Sequence, residues 1–297
     1  MIDIPFRSGY VAILGRPNVG KSTLLNRLIG QKVSITSHKP QTTRHRILGI
    51  QNTEHVQALY IDTPGMHTKA KREVNRLMNR AAFSAMRDVD VIVFMIDARF
   101  WTQEDEWILD KLQDVESPVI LVLNKVDTIK DKKQLLPRLA ELSEKRSFVD
   151  IVPLSVTKEV NVDQLEQTIF RLLPEGEAFF PKDQLTDQSD AFMITEIIRE
   201  KIMRLTNKEL PYDTVVQLDI KELKDDVLHI YVTIWVERLG QKVILIGEKG
   251  SKLKEIGISA RRDLEKLFEK QVHLTLWVKI RPGWSDDAKA LAQFGFR

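Results

Sequence analysis

Cysteine is absent from the 297-residue chain. That excludes disulfide scaffolds, thiolate zinc sites, iron–sulfur clusters and cysteine nucleophiles, and it fits a reducing compartment. Long hydrophobic runs are missing too. The longest, Val91–Ile96 and Val119–Leu123, have the length of a β-strand and fall far short of the roughly 18 residues that cross a bilayer. The first ten residues, MIDIPFRSGY, hold no basic segment followed by an apolar one. No secretory signal is therefore expected, and the expected location is cytoplasmic. Strong charge of one sign is lacking. A net charge of +3 does not by itself point to a nucleic-acid partner. The six histidines are scattered with no H-E-x-x-H pair, and no serine–histidine triad is visible. There is no internal repeat and no low-complexity tract.

What is present divides in two. At roughly 100–200 residues per domain, the length favours about two domains. From Tyr10 to about Leu173, short apolar runs (Tyr10–Leu14, Ala58–Ile61, Val91–Ile96, Val119–Leu123, Val149–Pro153) alternate with stretches of helical spacing such as Val74, Leu77, Met78, Ala81, Ala82 and Ala85. This predicts an α/β domain with a mostly parallel sheet and helices on both faces. Residues 174–190, with Pro174, Gly176 and Pro181 among acidic and polar neighbours, break the rhythm and read as a linker. Beyond them a helix over Phe192–Leu205, strands over Thr214–Ile220 and Val227–Val236 around Asp225 and Asp226, helical patterns near Gly250 and a strand over Val272–Ile280 predict a small α+β domain. The expected organisation is 1–173, linker 174–190, and 191–297.

The strongest motif in the first part is Gly15, Arg16, Pro17, Asn18, Val19, Gly20, Lys21 and Ser22, with Thr23 following. It fits G-x-x-x-x-G-K-[ST] between a strand and a helix, the context that the phosphate-cradling loop requires. Glycines let backbone N–H groups turn inward, and the helix adds its positive end. Lys21 is expected on the β- and γ-phosphates, with the Ser22 hydroxyl on Mg²⁺. Asn124-Lys125-Val126-Asp127 identifies the base. A carboxylate at Asp127 can accept from guanine N1–H and its exocyclic amine together, a donor pair that adenine lacks. Asn124 can bond the other base edge or tie loops together, and the Lys125 stem can cover the ring. Asp62-Thr63-Pro64-Gly65 closes a strand, placing Asp62 in the Mg²⁺ shell and the Gly65 N–H toward the γ-phosphate. In Pro40-Gln-Thr-Thr-Arg44, either Thr42 or Thr43 can reach Mg²⁺ and the γ-phosphate, and Thr43 is favoured. Ser155 and Val156 follow the last strand and can lean on the base. The expected catalytic residues are Lys21, Thr43 and Gly65, and the expected Mg²⁺ residues are Ser22, Thr43 and Asp62.

The second part carries a different signal. An apolar stretch holding Ile244 and Ile246 leads into Gly247, Glu248, Lys249 and Gly250, then Lys252, Lys254, Arg261 and Arg262 on an amphipathic helix. Residues 241–281 hold ten Lys or Arg against five Asp or Glu, whereas 205–240 hold four against seven. The positive charge therefore gathers around the G-x-x-G loop. There the glycines allow close backbone approach and N–H groups at a helix start can meet phosphate. These residues, with Ile244 and Ile246 as a floor for bases, are the expected RNA contacts. Glu248 departs from an all-basic clamp.

The set GRPNVGKS, QTTR, DTPG and NKVD resembles the translation-factor-class GTPases of the Era/TrmE/Der type. The order helix–strand–strand–helix–loop–helix–strand resembles a type II KH domain. Together they make nearly the whole chain similar to the Era family of bacterial ribosome-assembly GTPases. The resemblance implies Mg²⁺-dependent hydrolysis of GTP to GDP, binding to the 3′ end of 16S rRNA and a role in assembly of the small (30S) subunit. It also implies peripheral association with the inner membrane. Met66 stands where Ras-like enzymes carry the glutamine that orients water, so another element must position it. Asn18 matches the residue that helps hold K⁺ in similar potassium-activated GTPases. A tRNA-modifying GTPase would need further catalytic residues, and none is visible. An RNA-binding module with an inert GTP site is separated by turnover, and a membrane signalling GTPase would need a lipid anchor that the sequence does not show.

Overall fold

The computed structural model describes residues 5–39, 42–66, 73–131, 133, 135–206 and 213–295. Pro40 and Gln41, which open the expected QTT segment, lie outside them. The chain divides into two compact units: Met1–Ala70 with Met78–Asp187, and Lys71–Leu77 with Gln188–Arg297.

The first unit is built on β1 (Arg7–Leu14), β2 (Ile47–Asn52), β3 (Val56–Asp62), β4 (Val91–Asp97), β5 (Val119–Asn124) and β6 (Asp150–Pro153). The strands lie in the order β2-β3-β1-β4-β5-β6, with β2 antiparallel to β3 and the remaining pairs parallel. The apolar runs decide this. Every residue of β3, β4 and β5 is buried, as both-face coverage of a parallel sheet demands. Helices α1 (Lys21–Ile29), α2 (Glu73–Ser84), whose first residues count with the second unit, α3 (Gln103–Leu112) and α4 (Leu135–Ser143) connect the strands, and α5 (Val162–Leu172) follows β6. The start of α3 is set by a capping box. Thr102 accepts from the Asp105 N–H at 3.3 Å, and the Asp105 carboxylate accepts from the Thr102 N–H at 2.9 Å.

Two features differ from the sequence expectation. The antiparallel edge strand β2 has no counterpart among the expected runs. Its first four residues, Ile47–Ile50, are buried, but Gly49 interrupts the apolar signal. Residues 174–187, expected as the body of the linker, lie along the first unit. The Ser8 N–H donates to the Pro174 carbonyl at 3.0 Å, Gly176 donates to Phe6 at 3.1 Å and Ile50 donates to Leu185 at 2.8 Å. The fully buried Gln57 amide oxygen accepts from the N–H groups of Phe179 and Phe180 at 2.6 and 3.0 Å. Buried backbone groups need partners, and this segment supplies them to the sheet.

The second unit comprises α6 (Asp190–Leu205), β7 (Thr214–Lys224), β8 (Val227–Val236), α7 (Leu239–Ile246), α8 (Ser251–Phe268), β9 (Gln271–Ile280) and α9 (Ala288–Gln293). Its sheet runs β7-β8-β9, antiparallel then parallel. Asp225 and Asp226 both have positive φ, +49° and +60°, which the tight β7–β8 turn requires. Leu228, Ile230, Val232, Ile234 and Val236 alternate along β8 into the core. They meet Ile194, Ile198 and Ile202 of α6 and Ile256, Ala260 and Leu264 of α8. Both helices use i, i+4, i+8 spacing, so one stripe of each is apolar. Each fully buried aliphatic side chain contributes about 1.5–3 kcal/mol. Among the described residues, no helix is long and apolar enough to cross a membrane.

Candidate functional site

β1 has β3 on one side and β4 on the other, so the strand order reverses there and a crevice opens beyond the strand ends. The loop 15–20 leaves β1 into that crevice, and α1 starts at Lys21. Gly20 has φ +110°, and a Cβ at this position would collide with the Asn124 amide. Only glycine meets both demands.

Lys21 is buried, and its Nζ donates to the carbonyls of Gly15 at 2.9 Å and Arg16 at 3.1 Å. Burial lowers its pKa to about 8, opposed by the Asp62 charge and reinforced by Arg16. Asp62, fully buried, receives three hydroxyls on Oδ2: Ser22 at 2.6 Å, Ser34 at 3.0 Å and Thr43 at 3.2 Å. The Ser22 and Thr43 hydroxyls are 2.8 Å apart. Burial raises the Asp62 pKa, against the Lys21 charge and these three bonds. Asp62 Oδ1 is buried without a hydrogen-bond partner among the described residues. An all-oxygen cluster with an orphaned carboxylate oxygen suits a hard cation such as Mg²⁺. Thr42 points elsewhere, donating to the Lys39 carbonyl at 2.7 Å. Ser34 has no signal in the sequence, because a lone serine carries no motif.

The DTPG turn packs on the phosphate loop. Thr63 Oγ1 donates to Ile13 at 2.9 Å, and a Cβ on Gly65 would lie 2.7–2.9 Å from Pro17 atoms. Pro64 and Met66 are buried, and the Met66 N–H reaches the Gly15 carbonyl at 3.4 Å. Val19 is buried beneath the loop, and Thr23 lies in the first turn of α1. The Arg16 guanidinium turns to α3, donating to Asp105 at 3.1 Å and lying 4.9 Å over Phe100.

The NKVD segment joins three loops. Asn124 donates to the Val19 carbonyl at 2.7 Å and accepts from the Val156 N–H at 3.1 Å. Lys125 has φ +69°. Its Nζ donates to the Asn18 carbonyl at 2.7 Å and pairs with Asp97 at 3.0 Å. Burial pushes the Asp97 carboxyl up, but bonds from Arg99 and Lys125 outweigh it and hold the pKa down at about 2. Asp97 closes β4 and escapes the motif reading; a carboxylate ending an apolar run is the one signal that points to it. The exposed Asp127 accepts from Ser155 Oγ at 2.5 Å, which aims its carboxylate. Asn18 is exposed, with φ +63°. Its carbonyl is taken by Lys125, leaving the amide oxygen as the group available to a monovalent cation.

In the second unit, the Gly247–Gly250 loop joins α7 to α8. Beside it a groove of about 470 Å³ runs between α8 and β9. Of the expected RNA contacts, Gly250, Lys254 and Arg261 line it, together with Leu253, Gly257, Ile258, Val272, His273, Leu274 and Leu276. Gly247, Glu248 and Lys249 form the loop at its end. Lys252 pairs with Glu255 at 2.8 Å, and Arg262 is exposed on α8 outside the groove lining. Ile244 and Ile246 are also outside that lining. They sit in the last turn of α7, with Ile244 exposed. The apolar wall comes instead from α8 and β9, whose alternation reads in the sequence as core. β9 ends the sheet order, so its outer backbone edge can bond base edges.

Family models match the chain twice. One, described as 50S ribosome-binding GTPase, covers residues 10–125, and one described as KH domain covers residues 209–285. GTPase Era of Haemophilus ducreyi is 52% identical over 289 residues, spanning 97% of this chain and 95% of its own. GTPase Era of Ectopseudomonas mendocina is 52% identical over 299 residues, spanning 100% and 99%. Among solved structures, a point variant of Aquifex aeolicus Era bound to GDP·AlF4⁻ superposes with a TM-score of 0.95 at 42% identity, covering 98% of this chain and 99% of that one. Era in complex with MgGDPNP and nucleotides 1506–1542 of 16S ribosomal RNA superposes with the same score, identity and coverage.

Proposed function

The chain belongs to the Era family of GTPases and hydrolyses GTP, and on that premise we propose that it binds the 3′ end of 16S rRNA through its KH domain as a switch in assembly of the 30S subunit. The observation that carries the RNA half is the groove between α8 and β9. Its Lys254 and Arg261 flank an apolar wall beside the Gly247–Gly250 loop, the arrangement that takes single-stranded RNA by backbone and base stacking. A relative of the same fold is bound to nucleotides 1506–1542 of 16S rRNA, which supports the choice of RNA.

In the nucleotide site, the loop N–H groups and Lys21 hold the phosphates and stabilise charge on the transferring phosphoryl group. Ser22, Thr43 and Asp62 are the residues that would hold Mg²⁺, which when bound would supply positive charge against the phosphates. Gly65, backed against Pro17, offers its N–H to the γ-phosphate. Asp127, aimed by Ser155, accepts from the guanine edge, and the Lys125 stem covers the ring, with Ser155 and Val156 on the other side. The exposed Asn18 amide oxygen is the group that would hold K⁺, which when bound would supply positive charge. Peripheral membrane association rests on the resemblance alone.

The γ-phosphate orders the segments around Thr43 and Gly65, and that order is coupled to RNA affinity. The test is binding of a 16S 3′-end RNA to the full chain loaded with GDP or with a non-hydrolysable GTP analogue. Different dissociation constants are expected. Equal ones would remove the switch.

A further inference from the structure

We propose a second RNA-contacting surface, on the face of the β7-β8-β9 sheet opposite the helices, where unpaired nucleotides leaving the groove stack on Trp277. This rests on the groove reading above and extends it. Residues paired across strands share a face, and the register puts His229 beside His273, Tyr231 beside Thr275 and Thr233 beside Trp277. All lie on the face turned away from the β8 core residues, which alternate with them. The Tyr231 and Trp277 rings stack at 5.9 Å with an interplanar angle of 16°, and the two histidine rings are 5.2 Å apart.

Part of this face is closed. Trp235 lies 6.3 Å from Phe294, next to α9, and Thr233 is fully buried. The rest is open. Trp277 is 45% exposed, and Ile220, paired with Tyr231 across β7 and β8, is 52% exposed. An exposed Trp already held flat by a Tyr is a stacking surface with little side-chain freedom left to lose.

Continuity with the groove argues for RNA. His273 lines the groove and also touches His229 on the outer face, so a strand passing the β9 edge moves from one surface to the other. The cations Lys279 and Arg281 lie on the same face, at its Trp235–Phe294 end. Lys279 lies 5.7 Å from the Trp235 ring and Arg281 lies 5.1 Å from the Phe294 ring. Of the carboxylates there, Glu222 is paired with Lys224 at 2.7 Å, and Asp219 accepts from the Thr233 hydroxyl at 2.7 Å while keeping its charge, which turns a phosphate away from that end of β7 and toward β9.

The test uses the full chain, Trp277→Ala and Trp277→Phe, with two RNAs cut from the 16S 3′ end. One has about four nucleotides, the length a KH loop clamps, and one about twelve. Fluorescence anisotropy gives the affinities. The expected result is a loss of about tenfold for Trp277→Ala on the long RNA, no change on the short one, and recovery with Trp277→Phe. Photo-crosslinks from the long RNA are expected on Trp277 or Tyr231. Equal affinity of Trp277→Ala and wild type for both RNAs, or an equal loss on both, would overturn the proposal while leaving the groove standing. If the wild type binds neither RNA, the groove reading falls and this surface falls with it. Unchanged RNA binding together with protection of the face by a ribosomal protein would assign it to protein instead and overturn it.

Discussion

Asn124 fastens the base-reading segment to the phosphate loop, its amide nitrogen donating to the Val19 carbonyl at 2.7 Å while its amide oxygen accepts from the Val156 N–H at 3.1 Å. Asn124→Ala leaves two backbone groups unsatisfied in a buried place. Each costs about 1–3 kcal/mol. GTP and GDP affinities are both expected to fall by about tenfold to a hundredfold, with a lower Tm for the free protein. Calorimetric titration and thermal melts check this, and nucleotide affinity equal to wild type would show that the amide ties nothing.

Asp127→Asn is expected to exchange base preference. Guanine offers two donors, and an amide cannot accept both. Xanthine replaces the exocyclic amine with a carbonyl, which the new amide N–H₂ can meet. Competition between GTP and XTP for the variant reads the change. Retained GTP preference would place base recognition elsewhere. Ser155→Ala, which frees the Asp127 carboxylate, is expected to weaken GTP binding by a few-fold without changing preference.

Burial sets the Lys21 pKa at about 8, below its ordinary 10.5. The charged form is therefore lost from the folded protein first. Between about pH 8 and 10.5 the unfolded chain binds the extra proton, so the penalty for burying this cation is full below pH 8 and is relieved as pH rises through that window. Phosphate binding needs the cation, so GTP affinity is expected to decline as pH rises above about 8. In Lys21→Arg the decline should vanish, because arginine keeps its charge. A parallel decline in both proteins would assign the titration to another group.

Asp97 shows the opposite sign. Its folded carboxyl sits at about 2, below the ordinary 3.8. The stability that it contributes is present above about pH 4 and is lost as pH falls through about 2. The shift corresponds to about 2 kcal/mol. Asp97→Asn is expected to lower stability by about that amount at pH 7 and by much less near pH 2, measured by urea unfolding. A loss that is the same at both pH values would remove the ionic contribution of Arg99 and Lys125.

If the exposed Asn18 amide oxygen holds K⁺, turnover at saturating GTP should be faster in potassium than in sodium buffer, and Asn18→Ala should erase the difference. Equal kcat in the two salts would exclude the cation.

The nucleotide site was legible because its motifs are local: Gly15 to Ser22, DTPG and NKVD each carry their chemistry within a few residues. The sequence favoured Thr43 over Thr42, and the fold puts the Thr43 hydroxyl beside Ser22 and Asp62 while Thr42 bonds to Lys39. Ser34 was hidden because its bond to Asp62 spans 28 residues, and Asp97 because one of its two partners, Lys125, lies on a different loop. The strap over 174–187 could not be read from composition. Its hold on the sheet combines backbone hydrogen bonds at Ser8, Gly176 and Ile50 with side-chain bonds from Gln57 and Thr186, partners far apart in the chain that composition does not reveal. β2 was lost to Gly49 in the middle of a short edge strand. In the KH domain, charge located the loop, but the wall of the groove fell to Leu253, Leu274 and Leu276, residues that helical and strand periodicity assign equally well to the core.

The most direct measurement is GTP turnover by the full chain in Mg²⁺ and K⁺, with and without an RNA of the 16S 3′ end. The expected result is that the RNA binds and accelerates hydrolysis, with Gly250→Asp abolishing both effects while leaving turnover in the absence of RNA unchanged. If the RNA neither binds nor alters turnover, the GTPase stands alone and the proposed coupling of nucleotide site to KH groove is contradicted.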